Sequence, residues 1–109
     1  MSLKTVKAIQ KETGKFTNYF DIINNQMRYA LEIGKDKKLE ITLKKKDLTV
    51  VKKEIVKRYY EKGMIGGFNG KIESGKKVTT VTNQYKTLCD TVIKIIKGEN
   101  KHGKDYQKN

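Results

Sequence analysis

The chain has 109 residues, 36% of them hydrophobic and 34% charged, and 25 Lys or Arg against 12 Asp or Glu give a formal charge of +13. This length suits one domain with a small core, and no apolar run reaches the roughly 18 residues of a membrane span. The single Cys89 excludes an internal disulfide, and MSLKTVKAIQKE lacks the apolar stretch of a secretory signal, so a cytoplasmic, reducing location is expected.

Turn signals ETGK (12–15), NNQ (24–26) and GKDK (34–37) separate KTVKAIQK, FTNYFDII, MRYALEI and KLEITLKK. Met27, Tyr29, Leu31 and Ile33 alternate with other residues, as do Leu39, Ile41 and Leu43, which is the period of a half-buried strand. A helix through 17–33 competes, because Phe16, Phe20, Ile23, Met27 and Ala30 share a helical face. The Asn, Thr and aromatic content favours strands. The first part of the chain is therefore read as an antiparallel meander of about four strands.

From Asp47 onward Leu48, Val51, Ile55 and Tyr59 recur at spacings of three and four, predicting an amphipathic helix over 47–62 capped by Asp47 or Thr49 and ended by Gly63. A Gly-rich stretch, GMIGGFNG, follows, and KIE and KKVTTVT are expected to pair as a hairpin across Ser74–Gly75. Tyr85, Leu88, Val92, Ile95 and Ile96 mark a second helix over 83–97, started at Thr82 or Asn83 and stopped at Gly98. The fold class is α+β, with one domain over 1–97 and a disordered basic tail over 98–109.

Catalytic patterns are incomplete. GKIESGKK has the glycines and lysine of a phosphate-binding loop, but Lys77 stands where a Ser or Thr should hold magnesium. Asp21 and Glu32 resemble part of a nuclease carboxylate set, yet Gly34 occupies the position of the needed lysine, and Lys35 is one residue out of phase. His102 lies in the tail, and Cys89 has no ordered histidine to activate it. Neither an enzyme nor a cofactor or metal site is expected.

Cations are the remaining signal. Residues 37–60 hold eight Lys and one Arg against three acids. Lys outnumbers Arg 23 to two, which suits point-charge contact with phosphates better than bidentate reading of bases. Eleven Ile and seven Asn also fit a compositional bias that would raise Lys everywhere on the surface. On the expected 47–62 helix, Lys53, Lys57 and Tyr60 form a strip, Arg58 flanks the apolar stripe, and Lys44, Lys45 and Lys46 sit just before it. Arg28–Tyr29 is a second cation–aromatic pair, of the kind that single-strand binders combine in a groove. These nine residues are the candidate nucleic-acid site.

The reading is a small basic protein that contacts the phosphate backbone of DNA or RNA with little sequence specificity. Its rival is an adaptor or inhibitor whose basic face docks on an acidic protein. A sequence-specific helix-in-groove regulator and an anionic membrane binder rank lower. So small a core would gain from pairing, making a homodimer one expected assembly.

Overall fold

Backbone pairing organises the middle of the chain, residues 17–80, into one five-stranded sheet. The computed structural model describes the backbone of residues 2–108, and the side chains of these except at 2, 65, 68 and 100–108. Helix α1 (Ser2–Thr13) is followed by strands β1 (Thr17–Ile22), β2 (Gln26–Gly34), β3 (Lys37–Lys44), β4 (Val50–Ile65) and β5 (Phe68–Thr80), then helix α2 (Asn83–Lys108). The strands lie in sequence order, each antiparallel to the next. The α+β class holds, with three of the expected meander strands in place as β1, β2 and β3.

The first expected strand is a helix. KTVKAIQK contains good helix formers, and Thr5 and Ile9, four apart, are both buried while Lys4, Lys7 and Lys11 are exposed. Gly14 closes α1 in the left-handed conformation (φ 69°), donating its N–H to the Gln10 carbonyl at 2.8 Å.

The expected helix over 47–62 is instead the start of a long strand. Val51, Ile55 and Tyr59 are spaced by four, an even number, so they share a face on a strand as they do on a helix. Val50, Val51, Ile55, Val56, Tyr59 and Tyr60 are β-branched or aromatic; β3 pairs with Val50 and residues 52–57, β5 pairs with residues 54–65, and Ile55 and Val56 lie between the two strands. Asp47 does act locally: its Oδ1 accepts the Thr49 N–H at 3.0 Å. Leu48, however, adopts φ 62°, which turns the chain back against β3 rather than into a helix.

The expected turn at Ser74–Gly75 is also displaced. Both residues lie inside β5, where the register shifts between Tyr59 and Tyr60, and the reversal occurs at Gly66–Gly67 (φ 56° and 87°). Pairing of β3 with β4 runs out at Lys37–Lys57, whereas the β4–β5 ladder continues to Ile65–Phe68. Residues 59–75 therefore project as a two-stranded ribbon.

Both helices cover one face of the sheet. Met27, Tyr29, Leu31, Leu39, Ile41, Leu43 and Ile55 meet Ile9 from α1 and Cys89, Val92 and Ile96 from α2. Each fully buried aliphatic contributes on the order of 1.5–3 kcal/mol of transfer free energy. The α2 stripe read from the sequence is the one that packs, and the Tyr85 N–H bonds the Thr82 carbonyl at 3.0 Å where the helix begins. The helical backbone continues through Gly98 to Lys108. The side chains of the expected tail from residue 100 onward, His102 included, lie outside the described residues.

Candidate nucleic-acid interface

Strand geometry re-sorts the predicted strip. Lys53 and Lys57 stay on one face, the helix-bearing one, because Lys53 faces Ile41 and Lys57 faces Lys37 across the β3–β4 ladder. Arg58 and Tyr60 alternate to the opposite, open face. Tyr59 takes the place that the helical wheel gave to Tyr60.

β5 then adds a lysine that periodicity along the chain did not single out. Lys57 stands opposite Lys37 on one side and Lys77 on the other, so three ammonium-bearing side chains occupy one row across three strands. Like charges directly opposite one another destabilise a sheet. Two of the three lean on neighbours. Lys37 Nζ lies 5.3 Å from the centroid of the Tyr85 ring and Lys57 Nζ 6.0 Å from that of Tyr59, at cation–π range. Lys57 Nζ also donates to the Lys35 carbonyl at 2.7 Å. The row, the two tyrosines and Ile55 line a cleft of about 430 Å³ where the sheet runs past the start of α2, and no carboxylate is among the residues lining it.

The open face behaves differently. Arg58 Nη2 donates to Glu40 Oε2 at 3.2 Å, Arg28 Nη1 lies 3.8 Å from Glu40 Oε1, and Arg58 Nε lies 3.4 Å from Glu73 Oε1. Arg28 Nε further donates to Thr42 Oγ1 at 3.0 Å. The Glu40 side chain is only 9% exposed, so both arginines of the chain serve to neutralise a carboxylate sunk in the sheet surface. A groove of about 500 Å³ above them, bordered by Phe20 and Tyr60, is lined by four cations and four carboxylates; Lys37, at the start of β3, is one of the four cations and borders both this groove and the cleft. Its charge is balanced, and Arg28 and Arg58 have internal partners there.

Tyr29 is a correction as well. It is fully buried, with its ring edge-to-face against Tyr19 at a centroid distance of 5.2 Å, so it is core rather than a stacking surface. Lys44, Lys45 and Lys46 lie at the β3–β4 turn, while Lys37 and the cleft lie at the other end of β3. Seven residues of strand, roughly 23 Å at 3.3 Å per residue, separate the two groups. Lys45 is engaged by Asp21 at 2.5 Å. That contact holds the Asp21 carboxyl below its ordinary range, with help from the Tyr19 hydroxyl, which donates to Asp21 Oδ1 at 3.0 Å. Burial, reinforced by the same hydrogen bond, pushes Tyr19 up to about 12.

Lys37, Lys77, Tyr59 and Tyr85 were missed from sequence. Lys37 reads as part of a turn, and Tyr59 and Tyr85 as core-facing positions of helices. The available signal was the alternation Lys53, Ile55, Lys57, Tyr59 against Glu54, Val56, Arg58, Tyr60. No cluster of three or more His, Cys, Asp or Glu that could hold a metal occurs among the described residues, and no helix there is long and apolar enough to cross a membrane. No protein-family model matches the chain, and neither a curated protein nor a solved structure matches it significantly.

Proposed function

We propose that this protein binds nucleic acid through the phosphate backbone, with little sequence specificity. The observation that carries the reading is the row Lys37–Lys57–Lys77, three facing lysines in a cleft lined by no acid. An arrangement that costs the free protein stability is offset when a polyanion enters, because each phosphate contact releases condensed counterions. The net charge of +13 adds long-range attraction. Arginine is the usual bidentate reader of guanine, and both arginines here are occupied by Glu40, which favours backbone contact over base reading.

The test is localised charge reversal. Lys57→Glu with Lys77→Glu should weaken generic oligonucleotide binding far more than Lys7→Glu with Lys11→Glu, two exposed lysines of α1. Wild-type affinity should fall at least about twentyfold between 50 and 200 mM salt for three contacts to a single strand. Equal damage from both pairs would mean that only total charge matters. Absence of oligonucleotide binding would leave the competing reading, a basic adaptor docking on an acidic protein.

A further inference from the structure

We infer that the Lys37–Lys57–Lys77 cleft takes an unpaired nucleotide, base inward, so that the protein prefers single strands over duplex. The inference rests on the nucleic-acid reading and specifies its substrate class. The cleft is not merely a charged surface. It is an open cleft of about 430 Å³, similar in size to the two other surface clefts of about 500 and 410 Å³, and its lining is what sets it apart. Its cations belong to three adjacent strands, so they fan across about 10 Å at the usual strand spacing. Beneath and beside them are Ile55 and the rings of Tyr59 and Tyr85, of which Tyr59 is 48% exposed although it sits on an ordered strand. Phosphate alone needs no aromatic wall, whereas a base does: stacking on a ring is favourable for every base and indifferent to sequence.

The remaining polar lining fits the same occupant. Thr79, Thr82 and Gln84 can each donate or accept a hydrogen bond, so each of the four bases finds a partner without one being selected. The lysines themselves supply the opening step. In the free protein the ammonium groups of Lys37 and Lys57 rest over the faces of Tyr85 and Tyr59. A phosphate at the rim draws them outward and uncovers those faces for the base. In a duplex the bases are stacked and paired, and presenting one to the cleft requires paying for its extrusion. Duplex therefore uses only the lysines.

The experiment is fluorescence anisotropy with a labelled 12-nucleotide oligothymidylate and, separately, a 12-base-pair duplex, at 50 mM salt. The wild type should bind the single strand at least about tenfold more tightly. Tyr59→Leu, which keeps apolar bulk but removes the π face, should weaken single-strand binding about tenfold and duplex binding much less, while Tyr59→Phe restores single-strand binding. Lys77→Ala should weaken both probes. Equal affinity for the two probes, or a Tyr59→Leu effect that is absent or equal on both, overturns the single-nucleotide cleft and leaves backbone binding standing. If neither probe binds, the nucleic-acid reading falls with it; if both bind and Lys77→Ala changes nothing, the lysine row is not the contact site and the cleft is overturned. Far-ultraviolet circular dichroism of each variant confirms that the sheet is retained.

Discussion

Arg58 and Glu40 form an ion pair across β3 and β4, Nη2 to Oε2 at 3.2 Å, on the sheet face that the helices leave open. Arg28 approaches the same carboxylate from β2, so one sunken acid gathers both guanidinium groups. Glu54 stands directly opposite Glu40 in the ladder, and without the arginines two carboxylates would face each other.

Glu40→Ala is therefore expected to destabilise the fold by about 2–3 kcal/mol. The figure is below the 3–5 kcal/mol typical of fully buried pairs because the arginine side chains are 27% exposed. Breaking the exposed Lys52–Glu54 contact at 3.9 Å by Lys52→Ala should cost less than about 0.5 kcal/mol. Urea unfolding midpoints of the two variants measure the difference. Equal losses would show that Glu40 is no more than a surface charge.

The lysine row predicts a trade of stability against binding. Lys77→Thr removes one of three facing charges and places a β-branched residue on β5, so it should raise stability by about 0.2–1 kcal/mol in low salt. The gain should shrink in 1 M salt, where exposed charges are screened. Thermal melts at both salt concentrations give the answer. A variant less stable than wild type at low salt would mean that the row is not repulsive.

Two pH effects meet in the Tyr19–Asp21–Lys45 chain. The neutral Tyr19 hydroxyl is favoured in the fold, chiefly by burial and then by Asp21, and its folded value of about 12 exceeds the ordinary 10.0. Stability from this group is intact below pH 10 and is lost as pH rises from 10 to 12. Asp21 shifts the other way: its contribution is present above the ordinary 3.8 and is lost as pH falls through the depressed value, a small effect at so exposed a site. Tyr19→Phe should flatten the alkaline limb of the stability curve, and Asp21→Asn should flatten the acid limb slightly. An unchanged alkaline limb in Tyr19→Phe would contradict the assignment.

Cys89 should be inert. It is 1% exposed, and burial raises its thiol above the ordinary value, with Lys53 opposing only in part. Reaction with an aromatic disulfide reagent at pH 8 should be slower in the native protein than in the urea-unfolded protein by about a hundredfold or more. Rapid native labelling would show that α2 opens readily from the sheet.

How the chain chose between helix and strand explains how much was legible beforehand. At β2 and β3 the alternation of Met27, Tyr29, Leu31 and of Leu39, Ile41, Leu43 has period two and admits one answer. In α2 the spacing of Tyr85, Leu88, Val92, Ile95 and Ile96 mixes threes with fours, which no strand satisfies. Leu48, Val51, Ile55 and Tyr59 also mix a three with fours and so suggested a helix, but Leu48 lies in the turn before β4, and the three residues inside the strand are spaced by four, a multiple shared by both geometries. In KTVKAIQK the pair Thr5 and Ile9 is ambiguous for the same reason.

Composition and local periodicity were enough to determine the α+β class, the packed stripe of α2, the turns that bound β1 to β3, and a surface rich in lysine and poor in arginine. Where the cations stand relative to one another was decided only by tertiary pairing. Whether Lys57 adjoins Tyr60 or Tyr59 depends on strand alternation. Whether it faces Lys37 and Lys77 depends on the register of three strands from separate parts of the chain, and whether Arg28 and Arg58 can meet a ligand depends on Glu40 lying between them. Side chains of one strand repeat every second residue, whereas the neighbours across a ladder are set by hydrogen-bond register, which the order of residues along any single strand does not encode.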